Sequence, residues 1–224
     1  MIQSCTIRRA AALPALEAPF DAPEWAAAET LRVDKFHPLG SGHRPEVRVK
    51  LLHDTTAVQG VFHVRDRHVI ARQTGYQAMV CKDSCVEFFV RPKPDKGYMN
   101  FEMNACGVLL SEYVEDPTRT NAGFKKFEWT AERFGGMVRI HSTLKGPVME
   151  EIAGPVEYTV GFRIPFGVLE AYVGALGAVG GQIWRANCYK CADESSHPHW
   201  AAWSPVGENL NFHQPERFGI MRLE

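Results

Sequence analysis

Two neighbouring segments of the chain, residues 83–90 and 98–104, alternate apolar and polar residues with a period of two. This period is typical of half-buried antiparallel strands, in which successive side chains point to opposite faces. The polar face of the pair includes Glu87, Glu102 and Asn104. Such residues are depleted in strands, and like charges that face each other repel. The shared face is therefore a candidate ligand-binding surface, and the alternative is an ordinary solvated outer face.

The same alternation recurs along most of the chain and predicts about ten short strands. Nine of them lie near residues 47–52, 58–65, 85–91, 98–104, 107–113, 137–142, 156–164, 182–189 and 218–223. One short helix is predicted over residues 165–171. Short strands separated by Gly, Pro and Asp turns, with little helical periodicity, predict an all-β fold, a two-sheet antiparallel β-sandwich.

A length of 224 residues is compatible with one β domain spanning residues 1–224. Within it, residues 1–45 are rich in alanine and proline and are predicted to form an irregular leader packed on the domain. Residues 66–84 and 115–132 lack a clear period and are predicted to be loops.

Composition argues against several classes of partner. The formal net charge of -1 and the pI of about 6.8 leave no basic footprint for nucleic acid or for an anionic membrane surface. No apolar run is long enough to span a bilayer. The N-terminus does not have the pattern of a secretory signal, so we expect a cytoplasmic protein, or a secreted one if a leader has been removed. Oligomeric state is left open.

A third strand is predicted to extend the polar face. Residues 184–189 place Arg185 and Asn187 on one side, where they could join Glu87, Glu102 and Asn104. Guanidinium, carboxylate and carboxamide groups together suit sugar hydroxyls, which both donate and accept hydrogen bonds.

Aromatic residues near this strand could supply the apolar part of a sugar site. Trp200 and Trp203 lie three positions apart. An aromatic face can pack on the C–H patches of a pyranose ring, while the ring edge forms hydrogen bonds. The alternative is that one or both are core residues.

Three further interpretations compete with sugar binding. Cys188-x-x-Cys191 with nearby histidines is a weak zinc signal, because alternation turns Cys188 toward the apolar side of its strand. Glu87 and Glu102 could instead be the two carboxyl groups of a glycoside hydrolase. The polar face could also be simply solvated, in a structural or partner-binding sandwich.

The order of these motifs resembles that of the family 9 carbohydrate-binding modules and their stand-alone relatives. The segments that carry the resemblance are residues 83–90, 98–107, 185–191, 197–205 and 211–219. The resemblance implies a jelly-roll or DOMON-like β-sandwich that binds sugar between two aromatic rings. It also implies structural calcium and a frequent association of such modules with xylanases.

Carried over by position, the resemblance gives Glu87 the role of an acidic hydrogen-bonding residue and Asn187 that of a sugar-contacting amide. Trp200 or Trp203 would be one aromatic wall. The chain departs from the family where a tryptophan is expected before Glu87, since residues 79–81 read Met-Val-Cys and the nearest aromatic is Tyr76. The leading hypothesis is a non-catalytic protein that binds plant-type glycans such as xylan or cellulose fragments, and the alternative is a glycan-processing enzyme.

Overall fold

The computed structural model describes residues 2–224 and is built almost entirely of strands. They are β1 (Ser4–Arg9), β2 (Leu31–Arg32), β3 (Lys35–Phe36), β4 (Glu46–His53), β5 (Ala57–Asp66), β6 (Val69–Ala71), β7 (Cys85–Arg91), β8 (Tyr98–Asn104), β9 (Leu109–Thr120), β10 (Gly123–Trp129), β11 (Arg139–Ser142), β12 (Val148–Ile152), β13 (Val156–Pro165), β14 (Ile183–Cys191), β15 (Trp200–Ala202) and β16 (Gly219–Leu223). The α-helices are α1 (Glu132–Gly135) and α2 (Phe166–Val173), and 3-10 turns lie at Pro23–Trp25, Val80–Lys82 and Pro215–Arg217.

The strands form two packed layers, which confirms the predicted β-sandwich. The first layer has the order β10-β9-β8-β7-β14-β16-β1, with β15 beside β14 and β3 beside β15. The second has the order β1-β4-β5-β13-β11, with β2 beside β4. Strand β1 belongs to both, and its pairings with β16 and β4 are parallel, unlike the antiparallel pairings elsewhere in these layers. Strands β6 and β12 form a separate small sheet.

The main core lies between the layers because each strand turns its apolar positions inward. Phe88 of β7 stacks on Phe162 of β13 across this interface, with ring centroids 5.4 Å apart. One buried ion pair also crosses it: Lys190 Nζ of β14 lies 3.3 Å from Asp66 Oδ2 of β5, and both side chains are fully buried. The opposite face of β7, β8 and β14 carries the polar residues together with a second buried apolar cluster that includes Phe89, Tyr98 and Tyr189.

The structure contains several strands that the sequence did not predict. Short strands β2 and β3 lie in the predicted leader, β6 lies in the predicted loop of residues 66–84, and β12 and β15 lie where no strand was predicted. Residues 4–9 form β1 within the predicted irregular leader, with Cys5 and Ile7 buried. Residues 115–132, predicted to be a loop, contain the end of β9 and all of β10, which pair as an antiparallel hairpin. Most residues of this hairpin beyond Val114 are exposed, so no apolar alternation reveals the strands.

The other predicted elements have counterparts with small shifts at their ends. The predicted helix begins one residue later and extends to Val173. None of the helices in residues 2–224 is long and apolar enough to cross a membrane.

Candidate functional site

A cavity of about 330 Å³ opens on the outer face of the first layer, over β7, β8, β9 and β14. This volume falls in the range of small-molecule sites, roughly 300–1,000 Å³. It is lined by Met79, Cys81, Glu87, Glu102, Leu110, Glu112, Arg119, Phe124, Trp129, Cys191, Asp193, Trp200, Leu210, Asn211, Phe212 and His213. The cavity therefore combines a polar floor with aromatic and apolar walls.

Three carboxyl groups form the floor. Glu87 of β7 lies directly opposite Glu102 of β8 in the antiparallel register. Asn100 lies opposite Glu112 of β9, and its Nδ2 donates to Glu102 Oε1 at 2.8 Å and to Glu112 Oε2 at 3.0 Å. Cys191 Sγ of β14 donates to Glu87 Oε1 at 3.1 Å. The sheet register thus brings together three carboxyl groups that are far apart in the unfolded chain.

Burial raises the pKa values of the three carboxyl groups in this floor. Glu87 and Glu102 are only 2% and 5% exposed. Burial raises the pKa of both carboxyl groups, and the charge of Glu87 raises the pKa of Glu102 further. Burial also raises the pKa of Glu112, against the opposing hydrogen bond from Asn100. A protonated carboxyl group can donate a hydrogen bond as well as accept one.

Two tryptophans, Trp129 and Trp200, line the walls of the cavity. Trp129 ends β10 and is 45% exposed. Trp200 begins β15, and its Nε1–H donates to Asp193 Oδ1 at 2.7 Å, which fixes the indole in place. Both rings line the same cavity.

Comparison with known proteins identifies the family. The model of carbohydrate-binding family 9 matches residues 24–223. The chain belongs to carbohydrate-binding family 9. Carbohydrate binding is accordingly the function class of this family 9 protein.

Solved structures agree with this family. A protein of Bacteroides uniformis ATCC 8492, described as a candidate carbohydrate-binding protein, is 29% identical, with a TM-score of 0.88 and full coverage of both chains. A family 9 module of Caldicellulosiruptor kristjanssonii in complex with glucose is 12% identical with a TM-score of 0.64, over 99% of this chain and 96% of that one. A family 9 module from the same organism in complex with cellotriose is 15% identical with a TM-score of 0.61, over 99% of this chain and 94% of that one. Comparison with curated proteins gives no match.

Among the residues predicted from the sequence, Glu87, Glu102 and Trp200 line the cavity of this family 9 protein. Alternation also placed Asn187 on the correct face of β14, opposite Phe89. Its side chain is fully buried, however, and its Nδ2 donates to the carbonyl of Ser204 at 2.8 Å.

The remaining predicted residues do not line the cavity. Asn104 is buried and donates to Asp83 and to the carbonyl of Gln73. Arg185 donates to the carbonyl of Glu216. It lies six residues before Cys191, the residue of β14 that lines the cavity.

The two other aromatic candidates also lie outside it. Trp203 is 5% exposed and belongs to the main core, where it packs against Gly219. Tyr76 is partly exposed, and its hydroxyl donates to the carbonyl of Thr130 at 2.7 Å.

Sequence reasoning missed Trp129, Arg119 and Glu112 as cavity residues. Trp129 and Arg119 lie on the hairpin that was predicted to be a loop. Glu112 continues the polar face across β9, and the period-two pattern of residues 107–113 could have identified it.

The structure confirms the predicted orientation of Cys188, which argued against a zinc site at Cys188 and Cys191. Cys188 lies in the core between the layers, whereas Cys191 lies on the outer face with Glu87. Residues three apart in a strand point to opposite faces, so these two sulfurs cannot share a metal.

Calcium, which the family resemblance implied, needs six to eight oxygen ligands. In residues 2–224, two groups of at least three His, Cys, Asp or Glu side chains bring their ligand atoms together. One is Cys85, Glu87 and Cys191, and the other is His68, Glu151 and His197. Nitrogen and sulfur dominate both groups, so neither fits calcium, and calcium binding stays a prediction.

Proposed function

We propose that this protein binds an oligosaccharide of the cellulose or xylan type in the cavity over β7, β8 and β9, without cleaving it. The observation that carries the proposal is the presence of two tryptophans, Trp129 and Trp200, at the walls of a small cavity with a carboxyl floor. The glucose and cellotriose complexes of the family 9 structures support the choice of ligand.

The chemistry of the cavity matches the two kinds of surface that a sugar ring presents. The indole faces can pack on the apolar C–H patches, as aromatic rings do in other apolar contacts. The hydroxyls on the ring edge need both donors and acceptors. Glu87 and Glu102 supply both when protonated, and the Arg119 guanidinium, which lies over the Phe124 ring, supplies donors.

The raised pKa values of Glu87 and Glu102 favour binding over hydrolysis. A glycosidase of the usual type needs one carboxyl group as acid and an ionised one as nucleophile or base. Here burial raises the pKa of both Glu87 and Glu102. Both carboxyl groups also accept hydrogen bonds from protein side chains at the floor. We therefore expect no turnover of aryl glucosides or aryl xylosides.

Isothermal titration calorimetry with cellotriose, xylotriose and maltotriose tests the proposal. We expect one site for cellotriose or xylotriose and weaker or no binding of maltotriose, whose α-linkages bend the chain. Trp129→Ala and Trp200→Ala should each weaken binding about tenfold, since loss of an aromatic contact worth about 1.4 kcal/mol has that effect.

Ile183→Ala is the matched control, because Ile183 is 59% exposed and does not line the cavity. It should bind as the unmodified protein does. Binding that is unchanged in both tryptophan variants, or an absence of heat with every oligosaccharide at millimolar concentration, would contradict the proposal.

A further inference from the structure

A second polar cluster lies away from the cavity, where the small sheet meets the loop before β15. It contains His68, which follows β5, Glu151 of β12 and His197 of the loop. These residues are distant in sequence. They meet because β12 pairs with β6, with Ile152 opposite Val69, which brings Glu151 next to the turn that holds His68.

The potential ligand atoms of the three side chains point to one place. All lie within 4.8 Å of one another. His68 Nδ1 is 3.3 Å from Glu151 Oε1. Two ligands bound to zinc at about 2.0–2.2 Å with tetrahedral angles are about 3.4 Å apart, so this spacing needs little adjustment.

The Ser196 hydroxyl marks the point of convergence. Its Oγ is 2.8 Å from His197 Nδ1 and 3.4 Å from His68 Nδ1, and it donates to Glu151 Oε1. A single oxygen thus contacts all three ligand atoms. The hydroxyl group is on an exposed residue and can rotate aside when an ion takes its place.

The two histidine rings of the cluster lie face to face. The His68 and His197 rings stack with centroids 3.7 Å apart and an interplanar angle of 23°. The stacking places the Nδ1 atoms of both rings next to the same point, the Ser196 hydroxyl oxygen.

We propose that His68, Glu151 and His197 form a binding site for a divalent transition-metal ion such as Zn²⁺. Two imidazole nitrogens and one carboxylate suit zinc, copper or nickel rather than calcium or magnesium. The side chains of His68 and Glu151 are 21% and 19% exposed, so an ion can enter from solvent. The ion would join the small sheet to the loop that leads into Trp200.

The competing group of Cys85, Glu87 and Cys191 is a poorer site. Its three side chains are buried, and Glu87 and Cys191 form part of the cavity floor. Burial raises the pKa of the Cys85 thiol to about 12, and the pKa of Cys191 is also raised, by its hydrogen bond with Cys85 and by burial. A metal there would have to displace protons from two thiols that strongly hold them.

Calorimetric titration of the chelator-treated protein with ZnCl₂, in the absence of sugar, tests this proposal. We expect one zinc ion per chain and a rise in Tm on zinc addition. His68→Gln, His197→Gln and Glu151→Gln should each weaken zinc binding at least tenfold, the smallest loss typical of removing even an outer-shell partner. These side chains lie near the surface, and circular dichroism verifies that each variant is folded.

His141→Gln is the matched control, since His141 is a partly buried histidine of β11 outside the cluster. It should bind zinc as the unmodified protein does. Absence of zinc binding at millimolar concentration, or unchanged binding in the His68 and His197 variants, would overturn the proposal. So would a thiolate-to-cobalt charge-transfer band on Co²⁺ addition, which would place the ion at the cysteines. Sugar titration of the same variants separates this result from the proposed carbohydrate site.

Discussion

The carboxyl group of Glu102 has the most unfavourable surroundings for a charge in the cavity floor. It is buried, it lies opposite Glu87, and its neighbour across Asn100 is Glu112. Burial first, and then the charges of Glu87 and Glu112, raise its pKa well above the ordinary 4.5. The sequence places Glu87 and Glu102 on one face, but it does not reveal the direct opposition or the burial that cause this shift.

The raised pKa predicts a specific pH dependence of stability for Glu102→Gln. Well below pH 4.5 the carboxyl group is protonated in both states and contributes nothing. As pH rises above 4.5, the unfolded chain loses this proton while the folded protein keeps it. Unfolding is then favoured by up to about 1.4 kcal/mol per pH unit until the folded pKa is reached. Glutamine does not ionise, so Glu102→Gln does not lose stability in this way.

Urea denaturation from pH 5 to pH 8 measures the effect. The free energy of unfolding should fall more steeply with pH in the unmodified protein than in Glu102→Gln. Glu128→Gln, a change at an exposed glutamate, should follow the unmodified protein. Parallel curves for the unmodified protein and Glu102→Gln would show that the acid is not buried as described.

At the scale of elements, the hairpin of β9 and β10 decides which residues reach the cavity. Residues 107–113 were predicted to be a strand, and β9 in fact continues to Thr120. The exposed half of the hairpin carries charged residues on both faces, so tertiary pairing rather than a local pattern defines it. For this reason Trp129 could not be recognised from sequence, whereas Trp200 could, because it lies in a segment that carries the family resemblance, residues 197–205.

Gly97, in the turn between β7 and β8, packs closely against β9 of this hairpin. This close contact predicts the effect of Gly97→Ala. A Cβ atom at Gly97 would collide with the carbonyl group of Val114 in β9. The backbone must shift, and overpacking of this kind costs about 1–3 kcal/mol. Gly97 also donates its N–H to the Tyr113 hydroxyl at 3.0 Å.

Thermal denaturation compares this variant with Gly167→Ala. A Cβ at Gly167 of α2 meets no atom within 4 Å, and alanine favours the helix. We expect a lower Tm for Gly97→Ala and an equal or higher Tm for Gly167→Ala. An unchanged Tm in Gly97→Ala would contradict the close approach of β8 and β9.

At the scale of the whole molecule, the strand pattern predicted the sandwich because alternation reports burial directly. It could not predict long-range partners. The ion pair of Lys190 with Asp66 joins the two layers across 124 positions of sequence, and the cluster of His68, Glu151 and His197 gathers three separate segments. Such groups depend on which strands become neighbours, and this information is not local.

The central claim is that sugar binds between Trp129 and Trp200. The chain has five tryptophans, and Trp25, Trp184 and Trp203 are buried away from the cavity. Each indole N–H gives its own signal in a ¹⁵N–¹H correlation spectrum, assigned with single Trp→Phe variants. On titration with cellotriose or xylotriose, the signals of Trp129 and Trp200 should shift while the other three stay in place. Shifts confined to the three buried tryptophans, or no shift at saturating sugar, would contradict the account.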